Sequence, residues 1–280
     1  MTTRSCSSCG PDAHTSGDGV ELAGRFYAVG QQGIAREVER RTLGCDFGAN
    51  GYATLAEVDG LVGMLGLGPG QRLLDIGCGQ GWPGLYLSRE TGCTVVLCDV
   101  PFEGLATAAR RAAGERLGAR AFAVAARGQV LPLRPATFDA VIHTDVLCCL
   151  DPKLATLRAT FRALRHGGTT VFTAIFSGPG LSAAETRRAI EAGPPNVVLR
   201  TSCSSLLRSA GFVEIEEHDL TADYLATARR KLEVAEQFAE DLIQMLGHHD
   251  FDETQIERRL AVQAITDGLL RRSLFVARRP

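Results

Sequence analysis

The chemistry-bearing residues gather in one short run, Leu73-Leu74-Asp75-Ile76-Gly77-Cys78-Gly79-Gln80-Gly81-Trp82-Pro83-Gly84. An apolar stretch containing an aspartate passes directly into a turn whose glycines admit positive φ and close backbone approach, and then toward a helix N-terminus. That sequence builds a ligand seat at the carboxyl end of a strand. Gly79, Gly81 and Gly84 formally match the dinucleotide fingerprint. Two features oppose that reading: the match starts three residues after Ile76, and Asp75 would repel a pyrophosphate but attract an ammonium. Asp75 therefore prefers a cationic ligand. A second strand ends in Leu97-Cys98-Asp99, 18 residues after Gly81, where a carboxylate is placed to accept both hydroxyls of a ribose. Together these residues point to a nucleoside-type cofactor.

The elements that must position them follow an alternating rhythm. Arg72–Ile76, Thr94–Cys98, Ala121–Ala125, Asp139–His143 and Thr169–Phe176 are predicted strands, and Trp82–Arg89, Glu103–Leu117 and Pro152–Leu164 predicted helices. Repeated βαβ units with near-continuous apolar strands specify a parallel sheet covered on both faces. Right-handed crossovers make it doubly wound. Ahead of this unit, Val20–Leu43 reads as a glycine-weakened helix. A better-patterned one follows, with Thr54 as N-cap, Glu57 three residues on, and Leu55, Val58, Leu61, Val62 and Leu65 as its buried stripe. Behind it, Ser177–Thr201 holds one short helix, Ser202–Ala210 is helical and Phe212–His218 a strand. Residues 223–247 carry a helical stripe closed by Gly247. A further helix is expected to start at an Asp252 N-cap and run to Gly268, before a last strand at Leu270–Ala277.

The fold class is therefore α/β: a doubly wound, Rossmann-like, mostly parallel seven-stranded sheet with helical cap insertions. The expected division is a flexible tail at 1–19, an N-terminal helical cap at 20–68, and a Rossmann-like domain at 69–280 with cap insertions at 177–201 and 221–268. A chain of 280 residues is long enough to bury a sizeable core, and 45% apolar with 22% charged residues matches a soluble globule.

Thirty basic against thirty-two acidic residues leave a net charge of −2, so no overall positive field favours nucleic acid. The doublets Arg229-Arg230, Arg258-Arg259, Arg271-Arg272 and Arg278-Arg279 are dispersed and read as solvated helix faces and chain ends. No apolar run approaches the ~20 residues that span a bilayer, and the first twenty residues lack a basic-then-apolar targeting pattern, so a cytoplasmic location is expected. Of nine cysteines, Cys78, Cys93, Cys98, Cys148 and Cys149 sit in apolar settings and read as reduced core thiols. Cys6-Ser-Ser-Cys9 has no second pair at metal-site spacing, so no metal is expected.

Leu-Leu-Asp-Ile-Gly-Cys-Gly-Gln-Gly resembles motif I of class I S-adenosylmethionine-dependent methyltransferases, of the small-molecule, methyltransferase type 11-like kind. The resemblance extends through Asp99, Leu131-Pro132-Leu133, Phe138-Asp139-Ala140-Val141 and Leu164-Arg165-His166-Gly167-Gly168, and covers roughly 67–176. It implies S-adenosyl-L-methionine as cofactor. Gly77, Gly79 and Gly81 would pack under it, Asp75 would hold its amino group and Asp99 its ribose, with Thr144 nearby. In one place the chain departs. Where relatives often carry an acidic residue for the adenine amino group, this sequence reads Ala126-Arg127-Gly128. Arginine has no acceptor, so adenine would be held by backbone groups near Arg127 and Gly128.

Methyl transfer from a sulfonium is an in-line displacement, so positioning and desolvation supply much of the catalysis. A base is needed only for a protonated acceptor. His143-Thr144-Asp145 leaves the fourth strand beside the expected methyl position, which makes Asp145 and His143 the candidate catalytic residues. Against that, His143 could cap the strand and Asp145 a turn. The His248-His249 pair follows a predicted helix C-terminus, where the macrodipole favours imidazolium, and Tyr27, Tyr52 and Tyr224 are candidates to line an acceptor pocket. The inserted helices favour a small-molecule acceptor over a macromolecular surface. Two other functions stay open at this point: a non-catalytic nucleoside-cofactor-binding regulatory module and an NAD-dependent oxidoreductase.

Overall fold

The structure, a computed structural model, describes Tyr27 and residues 33–280. Helices α1 (Gly33–Leu43) and α2 (Leu55–Leu65) precede β1 (Arg72–Ile76), α3 (Gly84–Thr91), β2 (Thr94–Asp99), α4 (Phe102–Gly114) and β3 (Ala121–Ala125). β4 (Phe138–Thr144) follows, then a 3₁₀ turn (Leu147–Cys149), α5 (Lys153–Ala163) and the long β5 (Leu164–Ser177). The chain continues through α6 (Ala183–Ala192), α7 (Cys203–Ala210), β6 (Val213–Asp219), α8 (Thr221–Gln237), α9 (Ala239–Leu246), α10 (His248–Thr266) and β7 (Leu270–Arg278).

The seven strands lie in the order β3-β2-β1-β4-β5-β7-β6. The first five are parallel, and β7 runs antiparallel between β5 and β6. The chain winds outward from β1 to β3 and then returns to β4 on the other side of β1. The order reverses there, which opens a crevice at the carboxyl ends of β1 and β4. Alternation along each strand feeds two cores. Leu73, Val95, Leu97, Ile142 and Val171 pack with α2, α3 and α4, while Leu74, Ile76, Val141, Phe172 and Phe275 pack with α5 and α7. A third cluster, from Cys148 and Cys149 through Tyr224 to Leu270, holds α6, α8 and α10 to the sheet.

Several expectations need correction. The stripe over 223–247 is two helices, broken at Phe238, whose φ of −109° and ψ of 25° leave helical geometry. The apolar period runs through the break because residues on both sides, with Phe238, face the same small cluster with α1. Asp252 is not an N-cap: α10 starts at His248, directly after Gly247 turns the chain at φ 86°. His248 and His249 therefore open a helix instead of following the end of one. Thr54 does cap α2 by accepting from the Glu57 N–H, but the Glu57 carboxylate turns inward to Arg272. Arg272 itself, read as half of a solvated doublet, is 0% exposed. The tail at 1–19, half of the predicted Val20–Leu43 helix, and Cys6 and Cys9 lie outside the described residues. Among the described residues no helix is long and apolar enough to cross a membrane.

Candidate active site

β1 is buried along its length after Arg72, so Asp75 arrives at the crevice 1% exposed. Its Oδ2 accepts from the Gly84 N–H at 2.9 Å, which ties the first turn of α3 to β1. Its Oδ1 is buried with no partner. Burial pushes the Asp75 carboxyl well above the usual carboxylate range, against the lowering effect of the Gly84 bond. Asp99, also buried, accepts from the Gly79 N–H at 2.6 Å and the Val100 N–H at 2.7 Å. The Gly77 and Cys78 N–H groups both donate to the Cys98 carbonyl. The glycine turn is thus sewn onto the end of β2.

Gly77 lies at φ 72° and Gly81 at φ 101°. A Cβ at Gly77 would overlap the Val146 methyls, and one at Gly81 the Leu85 side chain. What these glycines spare is room for Val146 and Leu85, so the turn can fold tightly between β4 and α3. Tyr27 lies over Gly79, with its ring also against Gly104.

A cleft opens beside the turn, lined by residues that include Gly77, Asp99, Val100, Arg127, Gly128 and Val146. The structure therefore brings Gly77, Asp99, Arg127 and Gly128 around one space. Asp75, Gly79, Gly81 and Thr144 do not line it. A nucleoside cofactor with a cationic end fits this donor set. The unpartnered Asp75 Oδ1 lacks a hydrogen-bond donor or a cation, and Asp99 brings a second buried carboxylate to the same edge of the sheet.

The two catalytic candidates sit in contrasting surroundings. His143 is 0% exposed, its ring stacked on Phe172 at 4.3 Å. Both ring nitrogens are buried without partners, and burial lowers its pKa to about 3. Asp145, held at φ 55°, is saturated with donors. Its Oδ1 accepts from Arg272 Nε and Thr173 Oγ1, each at 2.8 Å, and its Oδ2 from the Tyr52 N–H at 3.0 Å. Arg272 then reaches both Glu57 oxygens at 2.8 Å. The nearby Arg272 charge holds the Asp145 carboxyl below its ordinary value despite the opposing cost of burial.

Sequence reasoning missed Arg272 and Glu57. The available signal was a charge set within the apolar strand Leu270–Ala277. A segment between α1 and α2 is tied to α1, to the glycine turn and to the end of β4. Glu39 of α1 accepts from the N–H groups of Phe47, Gly48 and Ala49, and Gln80 Nε2 donates to the Gly48 and Tyr27 carbonyls. Tyr52 packs edge-on against Tyr224 at 4.6 Å.

The family model described as "Methyltransferase domain" matches residues 74–172, which span Asp75, the glycine turn, Asp99 and Asp145. Over those residues the chain matches the methyltransferase family. The chain is 25% identical over 215 residues to the phosphoethanolamine N-methyltransferase of Triticum aestivum, covering 77% of this chain and 42% of that protein. It therefore spans less than half the length of that relative. It is 29% identical over 206 residues to the 27-O-demethylrifamycin SV methyltransferase of Amycolatopsis mediterranei, 72% of this chain and 76% of that one. Among solved structures, the chain resembles in fold phosphoethanolamine N-methyltransferase 2 of Haemonchus contortus in complex with phosphomonomethylethanolamine and S-adenosylhomocysteine. The TM-score is 0.77 at 20% identity, over 92% of this chain and 60% of that one.

Proposed function

We propose that this chain transfers a methyl group from S-adenosyl-L-methionine to a small-molecule acceptor. The observation that carries the reading is the pair of buried carboxylates at the carboxyl edge of β1 and β2, one of them with an unpartnered oxygen. S-adenosylmethionine, when bound, supplies an electrophilic methyl on a sulfonium. Asp75 Oδ1 would take the ammonium end, Asp99 the ribose hydroxyls, and the backbone around Arg127 and Gly128 the adenine edge, with Thr144 at the end of β4 beside them. Gly77, Gly79 and Gly81 shape the turn below.

The chain's own contribution to the chemistry is then positioning and exclusion of water. Asp145, neutralised by Arg272, holds the Tyr52 backbone and so sets the roof. Its residual basicity is low. His143 stays neutral, and its enclosure keeps it from an acceptor's proton. An acceptor that arrives deprotonated, or that loses its proton to water, suits these surroundings best. Residues 20–68 and the insertions at 177–201 and 221–268 act as the cover over the carboxyl edge, which favours a small acceptor. Both sequence relatives above are named for small-molecule methylation, which supports that class without fixing the acceptor.

Calorimetry with S-adenosylhomocysteine tests the cofactor assignment. The wild-type protein is expected to bind it, and Asp99→Ala to lose detectable binding. Because Asp99 also accepts from Gly79, Asp99→Asn serves as a second variant that keeps the side-chain volume. Near-native affinity in both variants sinks the site. Stabilisation by NAD in place of S-adenosylmethionine in a thermal-shift assay would instead favour the oxidoreductase reading.

A further inference from the structure

The cap over the carboxyl edge contains two cations that lack a direct carboxylate contact among the described residues. Among the described residues Lys231 of α8 and Arg258 of α10 form no ion pair, whereas Arg259 beside Arg258 pairs with Glu236. Lys231 Nζ donates to the Gly51 carbonyl at 2.6 Å and more weakly to Asn50 at 3.4 Å. Its ammonium lies 4.5 Å from the centre of the Tyr52 ring. An ammonium has three N–H donors and a guanidinium five, so Lys231 keeps one in hand. Arg258 spends one bond, from Nη1 to Gln255 Oε1 at 2.6 Å.

Gln255 supplies a separate pointer. It is 2% exposed, and its Nε2, on the same amide that Arg258 holds, is buried without a partner. A buried amide donor left unsatisfied has given up its hydrogen bonds to water with nothing in return. Two unpaired cations and one orphaned donor together call for an anionic oxygen. The location matches the reaction edge, since Lys231 grips Gly51 and the next residue, Tyr52, donates its N–H to Asp145 at the end of β4.

We propose that Lys231, Arg258 and Gln255 form an oxyanion seat, and that the methyl acceptor carries a carboxylate or phosphate that docks there. The proposal rests on the methyltransferase reading for the word acceptor, and on the cap residues alone for the seat. The bound group would take the remaining Lys231 N–H, the open guanidinium donors of Arg258 and the Gln255 amide. Its tether would then extend along Tyr52 and Tyr224 toward the carboxyl edge of the sheet.

Inorganic phosphate and succinate, each titrated by calorimetry into protein with and without S-adenosylhomocysteine against matched sodium chloride, distinguish the two anion chemistries. At least one is expected to bind. Lys231→Gln and Arg258→Gln should each weaken it tenfold or more, Lys231→Arg should restore it to within about threefold, and Arg259→Gln should change it less than twofold. Affinity should fall as pH rises through about 8, where Lys231 loses its proton. That value is depressed chiefly by burial and then by Arg258, against the opposing charges of Glu39 from α1, Asp145 after β4 and Cys45 from the segment between α1 and α2. Binding of neither oxyanion, or equal binding by wild type and both Gln variants, overturns the seat. S-adenosylhomocysteine affinity, read on the same samples, reports separately on the methyltransferase reading and on whether each variant folds.

Discussion

Arg272 Nε lies 2.8 Å from Asp145 Oδ1, while its two terminal nitrogens each reach a Glu57 oxygen at 2.8 Å. One buried guanidinium therefore joins β7, the end of β4 and the first turn of α2. Arginine suits this place because its planar fork serves two carboxylates at once. Arg272→Met would strand both carboxylates in the interior. Breaking a buried pair by removing one partner costs about 3–5 kcal/mol, and Arg272→Lys, with a single compact charge, should fall between. Chemical denaturation checks this, and a loss below about 1 kcal/mol for Arg272→Met would show that Asp145 and Glu57 are relieved by water.

The same contact sets the pH behaviour of Asp145. Its folded-state pKa is lowered, with Arg272 overcoming the cost of burial. Such a carboxylate contributes stability that is fully present above its unfolded value, about 3.9, and lost as pH falls through the lower folded value. The difference in Tm between wild type and Asp145→Asn should therefore shrink only below about pH 4 and stay flat from there to neutrality. The pH profile of turnover should carry no inflection from Asp145 at neutral pH. An inflection near neutrality that vanishes in Asp145→Asn would restore it as a general base.

The sheet was legible in the sequence because each central strand is buried on both faces and so reads as an unbroken apolar run. Arg72–Ile76 matches residue for residue, and so does the edge strand Ala121–Ala125, which is largely exposed and was marked by its apolar residues alone. Asp75, Asp99 and the glycine turn were equally visible, since two carboxylates at strand ends beside a glycine-rich turn form a local sequence pattern. The Arg272 network was hidden for the opposite cause. Its partners lie 127 and 215 residues away, and only the antiparallel pairing of β7 with β5 brings them together. The break at Phe238 and the start of α10 at His248 escaped because tertiary contacts, not caps, set them. The anion seat escaped because Arg258 shares a doublet with an arginine that is solvated.

Asp75→Asn separates ligand binding from stability. The folded-state pKa of Asp75 is raised, chiefly by burial, so its carboxyl stabilises the fold when protonated, and that contribution is lost as pH rises through the folded value. Asparagine keeps an acceptor for the Gly84 N–H and removes the titration. Relative to Asp75→Asn, the unliganded wild type should lose stability as pH rises out of the acid range, whereas S-adenosylhomocysteine binding should weaken at least tenfold in the variant. Parallel pH profiles of Tm for the two proteins would show that Asp75 is ionised and paired in the free protein.

Gly77 and Val146 offer a test of why the turn is built from glycine. Alanine at Gly77 carries two costs: a left-handed backbone at φ 72°, about 1–2 kcal/mol, and overlap with the Val146 methyls, about 1–3 kcal/mol for an overpacked site. Val146→Ala removes the second and leaves the first. In a double-mutant cycle read by urea denaturation, Gly77→Ala should therefore be less damaging in the Val146→Ala background by roughly 1–3 kcal/mol, the range found for residues in direct contact. Strict additivity would mean that the backbone angle alone demands glycine, and that Val146 yields freely to a methyl group. Because Val146 and Gly77 both line the cleft, the cycle repeated with S-adenosylhomocysteine present asks a second question. If Gly77→Ala pushes Val146 into the space beside Asp99, the double variant should bind more tightly than Gly77→Ala alone.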